Sequence, residues 1–219
     1  MPIELLLGYQ VHQNLGFGSF LISGKESVIS SLNKRISALK RVAKVSNFKT
    51  RLSVCSSLVI SKILYMLPLY GGAPEYMLEA LQKKQTEAMR IITRRKWSEM
   101  GRKLVSNKEL LRQCNYLSVR QMIYFYSVAT VHKTLVNETP EYLHNVLCQA
   151  LASGVKHRYP TRAASRRVVE EARLKVANSS LRWRASKQYA ELLTDLKTEQ
   201  SIQSFLSGLK NYTIDYVDI

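Results

Sequence analysis

Apolar residues recur at helical spacing along most of the chain. Val28, Ile29, Leu32, Ile36, Leu39 and Val42 fall three or four apart, which predicts an amphipathic helix. Ser23 and Glu26 stand just ahead of it at the spacing of a capping box, where hydroxyl and carboxylate each satisfy the other residue's amide. A second helix is predicted at about 50–67. It is apolar nearly all round (Leu52, Val54, Cys55, Leu58, Val59, Ile60, Ile63, Leu64, Met66) and is therefore expected in the middle of a core. Pro68 and Gly71-Gly72 end it, and Pro74 restarts helix at a favoured first-turn position, with Glu75 suited to the dipole. The third helix carries Leu78, Leu81, Gln85, Ala88 and Ile92 on one seam.

Downstream, Ser106 with Glu109 offers another capping box for a short helix through Cys114. Ser118 starts a longer helix to about Val136, with Val119, Met122, Ile123, Tyr126, Ala129 and Lys133 in register. Its run Tyr124-Phe125-Tyr126 is read as packing, because consecutive helical residues point to different faces. Thr139-Pro140-Glu141 opens a helix through about Leu151. Residues 3–22 read instead as extended: Ile3 to Leu7 and Phe17 to Ile22 make a hairpin with its turn at Asn14-Leu15-Gly16. From Ser153 the composition turns basic and turn-rich. Leu181-Arg182-Trp183-Arg184 alternates like a short strand, and helices are predicted near 186–196 and 201–209. These elements give a mostly α chain with a hairpin over 1–22, a helical bundle over 23–152 and a basic segment over 153–219.

Charge then changes the picture. The 219 residues hold 33 Lys+Arg against 16 Asp+Glu, a formal charge of +17. Residues 1–50, 51–100, 101–150 and 151–219 carry +5, +4, +3 and +5, so the surplus is spread and not gathered in one pocket. That distribution suits a surface following a phosphate backbone, against the plainer reading of a solvated basic exterior. Basic and aromatic residues interleave at His157-Arg158-Tyr159-Pro160-Thr161-Arg162 and again at Leu181–Arg184, types that hold phosphate and stack bases. The longest uncharged stretch of Leu52–Tyr70 is too short to span a bilayer, and no basic start with a cleavage site marks export. The expectation is an intracellular protein of nucleus or cytoplasm, neither secreted nor transmembrane.

Candidate chemistry is sparse. Only three residues are Asp (Asp195, Asp215 and Asp218), all near the C-terminus, so an Asp pair in the body of the fold is nearly excluded. Converging carboxylates for two-metal phosphoryl transfer are missing with them. There is no GxSxG elbow, and Gly8, Gly16 and Gly18 make no dinucleotide or phosphate-loop pattern. His144, Cys148 and His157 could share a site, yet no CxxC or HxxxH pair exists, and a structural role for the three cysteines is favoured. No cofactor and no metal are expected.

The order of segments resembles the C-terminal part of a non-LTR (LINE-type) retrotransposon reverse transcriptase. The resemblance rests on Leu6-Leu7-Gly8-Tyr9 at the primer-grip turn, the helix Val28–Val42, Thr50-Arg51-Leu52, and Leu58 to Tyr65 with Tyr70-Gly71. Its most specific stretch is Leu81-Gln82-Lys83-Lys84-Gln85-Thr86-Glu87-Ala88-Met89-Arg90-Ile91-Ile92-Thr93, similar to the family's LQ-x-x-Q-x-x-A-x-R-I-I-T helix. Leu117–Arg120, Pro140–Leu143, His157–Arg162, Ser179–Arg184 and the final helix at 202–212 extend it over essentially the whole chain.

The resemblance implies a thumb-like helical bundle after a remnant primer-grip hairpin, followed by a basic α-rich tail. It implies sequence-tolerant binding of RNA, an RNA–DNA hybrid or a DNA duplex. Gly8 would sit at the primer grip. Lys34, Arg35, Lys40, Arg41, Lys83, Lys84, Arg90, Arg94 and Arg95 would line the duplex side, and Arg158, Arg162, Arg182 and Arg184 a second strip. The family's Asp-Asp polymerase motif, fingers, endonuclease and cysteine–histidine knuckle are absent from this sequence, so the chain is not expected to polymerise DNA alone. Without a palm, the hairpin would present an open edge that invites a protein partner. Two rival readings stand beside this one: the C-terminal part of an active reverse transcriptase whose palm is missing from this chain, and a helical protein-interaction module.

Overall fold

Ser27, not Ser23, opens the first helix: its hydroxyl accepts from the Ser30 amide at 3.2 Å. The computed structural model describes residues 4–6, 9–11, 21, 27–94, 106–152, 180–192, 194–197 and 201–216. Helix α1 (Val28–Val45) buries Val28, Leu32, Ile36, Leu39 and Ala43, close to the predicted stripe. An extended two-residue link, Ser46-Asn47, leads to α2 (Phe48–Cys55), and the Asn47 side chain caps that helix by accepting from the Thr50 amide at 2.8 Å.

The second helix departs from expectation. It continues through a wider π-type turn (Ser56–Ile60) into α3 (Ser61–Leu64) and stops at Met66, whose φ of 58° is left-handed. Pro68 does not end it but sits in the first turn of the short α4 (Leu67–Tyr70), where a missing N–H costs nothing. Nor is it buried all round. Ser53, Ser56, Ser57 and Ser61 form an exposed stripe, and the Ser57 and Ser61 hydroxyls bond back to the carbonyls of Val54 and Ser57. Small hydroxyl residues among aliphatics hide an outward face that a count of apolar positions misses.

The central helix is α5 (Glu75–Thr93). Its whole predicted seam is buried, together with Met77, Thr86, Met89 and Arg90. Helices α1 and α2 pack on it, as does α6 (Asn107–Cys114), which is capped by the Ser106 hydroxyl accepting from the Glu109 amide at 3.2 Å. Gln85 Nε2 donates to the Leu117 carbonyl, and Gln82 Oε1 accepts from the Val119 amide, both at 2.8 Å. The two glutamines of the most specific sequence stretch therefore anchor the backbone that leads into α7 (Val119–Asn137).

The chain divides into two compact units, Met1–Val119 with the terminal Ile219, and Arg120–Asp218. The compositional change near 153 itself lies outside the described residues. The second unit contains nearly all of α7, then α8 (Glu141–Ala152), α9 (Leu181–Glu191), α10 (Thr194–Lys197) and α11 (Ile202–Tyr216). Val128, Ala129 and Val131 of α7 close a core with Leu147, Leu151, Ala185, Tyr189, Leu192, Phe205 and Leu209. Of the expected α7 register, Val119, Met122, Ile123 and Ala129 are buried, while Tyr126 and Lys133 face solvent and Val128, Val131 and His132 are buried instead. Tyr124 and Phe125 pack against the core, as read from the sequence.

Two β expectations need correction. Leu181–Arg184 is the start of helix α9, because Leu181, Ala185 and Tyr189 recur every four residues and together face the core; four alternating residues are too few to separate the two periods. The N-terminal hairpin over 1–22 is not supported in the expected form. Glu4–Leu6 pairs antiparallel with Tyr9–Val11, not with the expected second strand, most of which lies outside the described residues. Leu21, the described residue of that expected strand, is helical and fully buried, and Gly8 lies outside the described residues. A short apolar run fits a buried helix as readily as a strand.

Candidate nucleic-acid interface

The basic residues separate by what their charged ends touch. On the outer face of α1, Lys34, Arg41 and Lys44 are exposed, aligned with Ser37 at intervals of three and four residues. Lys49 is exposed on the first turn of α2. None of these four charged side chains has a hydrogen-bond or ion-pair partner among the described residues.

Other expected contact residues are engaged within the first unit. Arg35 donates to the Ser31 hydroxyl at 3.3 Å and to the Leu58 carbonyl at 3.0 Å, tying α1 to the π-type turn. Lys40 and Lys84 converge on Glu87 at 2.7 and 3.2 Å. Burial pushes the Glu87 carboxyl up, but hydrogen bonds from Lys40 and then Lys84 outweigh it and hold the group below its ordinary value. Arg90 is buried. Arg94 reaches across to the end of α1, donating to the carbonyls of Ala43, Lys44 and Ser46 at 3.2 to 3.5 Å. Among the described residues of the α5 set, Lys83 is exposed with no side-chain bond to the protein, and Glu79 and Glu87 flank it four residues away on each side; Arg94 is exposed too, but its guanidinium is engaged. The α5 face is mixed in sign, not a basic strip.

Arg51, absent from the expected site, is the strongest cross-link. It is 6% exposed, and its guanidinium donates to the Ile92 carbonyl at 2.8 Å and the Ser46 carbonyl at 2.7 Å. Together Arg51 and Arg94 cover the carbonyl end of α1, where the helix dipole is negative, and turn that corner positive. The sequence carried a hint. Arg51 precedes Cys55 and Val59 at four-residue spacing, a charged residue on a stripe that otherwise faces the core.

A second hint was a stretch without acid. From Ser27 to Pro74 the sequence has eight basic residues (Lys34, Arg35, Lys40, Arg41, Lys44, Lys49, Arg51 and Lys62) and no Asp or Glu. Lys62 feels this directly: burial, and then the Arg35 charge, lower its pKa.

The expected second strip does not form one face. Arg182 and Arg184, two apart on helix α9, point to different sides, whereas a strand would have aligned them. Arg182 lies over the Trp183 ring at 5.2 Å. Arg184 is half-buried, and burial pushes its pKa down to about 10, still charged at neutral pH. Arg95, Arg158 and Arg162 lie outside the described residues.

Among the described residues no group of three His, Cys, Asp or Glu side chains is placed to hold a metal ion. Burial raises the Cys55 thiol to about 12, with Cys114 adding to it, and raises Cys114 to about 11, which keeps both protonated and unreactive. Cys148 and His144 do meet, Sγ to Nε2 at 3.4 Å, one turn apart on α8; His157 lies outside the described residues. No described helix is long and apolar enough to cross a membrane.

No protein-family model matches the chain, and no curated protein or solved structure matches it either.

Proposed function

We propose that the first unit binds the phosphate backbone of nucleic acid through the outer face of α1 and the first turn of α2, tolerating sequence. The observation that carries this reading is the run of exposed cations Lys34, Arg41, Lys44 and Lys49, whose side chains have no partner among the described residues, inside a stretch with no carboxylate. Phosphates would be met by side chains that lose no internal partner, and counterion release would supply the driving force. The role agrees with what the resemblance to the thumb region of a non-LTR reverse transcriptase implies, namely holding RNA, a hybrid or a DNA duplex without polymerising it. A nuclear or cytoplasmic location accords with such a partner.

Titrating the full chain against a short duplex between about 50 and 200 mM salt tests the reading, because log K should fall linearly with log salt. Changing Lys34, Arg41 and Lys44 together to Glu should flatten that slope by about 2.7, at about 0.9 for each lost phosphate contact. A slope near zero in the wild-type chain, or no binding at low salt, overturns the proposal.

A further inference from the structure

The link between α1 and α2 carries an unusual pair of side chains. Val45, the last residue of α1, is 91% exposed, and Phe48, the first of α2, is 42% exposed. With only Ser46 and Asn47 between them, their Cα atoms are within about 10 Å of each other. Lys44 and Lys49 flank the pair directly.

The link is held, not loose. The Ser46 carbonyl accepts from Arg51 at 2.7 Å and from Arg94 at 3.4 Å, and the Ser46 hydroxyl donates to the Val42 carbonyl at 2.8 Å. Asn47 caps α2 at 2.8 Å. Projecting Phe48 from such a support costs little ordering on binding. The two guanidiniums also neutralise the carbonyl end of α1, which would otherwise repel a phosphate.

We infer that this corner engages an unpaired base: Phe48 stacks on its face, Val45 packs beside it, and Lys44 and Lys49 hold the adjoining phosphates. The inference rests on the phosphate-binding function proposed above and adds the kind of nucleic acid preferred, one with a single-stranded end or junction. Bases inside a duplex show only their edges, so an aromatic ring gains a stacking partner only where pairing stops. An anionic lipid surface would satisfy the same cations. It fits less well, because interfacial binding depends on a broad apolar face, and here the apolar tip is two side chains.

The test uses the full chain and three probes: a blunt duplex, the same duplex with a single-stranded extension, and that extension made of abasic nucleotides. The abasic probe keeps every phosphate and removes the bases. Wild type should bind the base-containing extension about tenfold more tightly than the abasic one, the size of one base–aromatic stack. Phe48→Ala and Phe48→Leu should both bring that ratio to about one with blunt-duplex affinity kept, and Phe48→Trp should retain it. Leu preserves the apolar bulk, so loss in both variants marks stacking and not misfolding. A wild-type ratio of one with blunt duplex still bound, or a ratio indifferent to Phe48→Leu, overturns the inference and leaves phosphate binding standing. Absence of binding to all three probes at low salt removes both. Phe48-dependent binding to phosphatidylserine vesicles without any preference for bases overturns it in favour of a membrane surface.

Discussion

Helices α1 and α5 lie side by side in the first unit and carry five basic residues and, with the α5 cap, four, yet they use them in different ways. On α1, Lys34, Arg41 and Lys44 face outward with no partner among the described residues. On α5 and its C-terminal cap, Lys84 pairs with Glu87, Arg90 is buried and Arg94 caps its neighbour's carbonyls. Position decides the difference. α5 is packed on several sides, so most of its basic side chains are buried or bonded within the protein, and acids at 75, 79 and 87 dilute the charge of what remains outside. α1 has one buried stripe and a free back. Counting Lys and Arg along a sequence measures net field, not the charge available to a ligand.

The sharpest way to break that comparison sets Arg51 against Arg41, two arginines ten residues apart. Arg51→Met removes two charge-assisted hydrogen bonds, one to a buried and one to a half-buried carbonyl, and should cost about 3 kcal/mol of stability. Arg41→Met, at an exposed position, should stay within about 0.5 kcal/mol. Urea unfolding of the two variants measures both. Equal costs would mean that the internal role of Arg51 is misassigned.

Charge reversal applies the same contrast to binding. Arg41→Glu removes one of the proposed phosphate contacts and adds a repulsion, so affinity for duplex should fall about tenfold at low salt. Lys83→Glu extends an already acidic row and should change affinity by no more than about twofold. A larger loss from Lys83→Glu than from Arg41→Glu would move the interface back to α5.

The sequence made the framework legible where burial follows a strong period. The seam Leu78, Leu81, Gln85, Ala88 and Ile92 and the stripe of α1 are plain in the sequence, because long helices repeat their pattern often enough. Leu181–Arg184 could not, since four residues satisfy period two and period four about equally. The candidate interface was half legible. Lys34 and Arg41 were in the expected set, and Lys44 and Lys49 were outside it. The tasks of Arg35, Arg51 and Arg94 depend on carbonyls 23 to 51 residues away in sequence, which no local pattern displays. Gln82 and Gln85 teach the same lesson from the other side. Gln82 looks like a surface polar residue in a basic helix, and Gln85 like one polar member of an apolar seam; neither pattern shows that each is committed to a backbone group near the start of α7.

The smallest effect concerns the second unit. His132 is 1% exposed, its ring lies 3.5 Å from Phe205 at an interplanar angle of 11°, and Nδ1 shares a hydrogen bond with the Tyr189 hydroxyl at 3.2 Å. Nε2 is buried without a partner among the described residues. Burial lowers the pKa of His132, because a charged ring would place an unsolvated N–H against the core. The unfolded chain therefore takes up the proton first, below its ordinary value of about 6.5. Stability contributed by neutral His132 is complete above that pH and is lost as pH falls toward the folded value. Trp183 lies on α9 in the same unit, and replacing Trp97 by Phe leaves it as the only tryptophan, a local reporter of unfolding. The urea midpoint read from Trp183 should be flat above neutrality and decline below about pH 6.5, and His132→Gln should remove most of that decline. A decline of the same size in the Gln variant would assign the acid sensitivity to another group and leave the His132–Phe205 stack as packing alone.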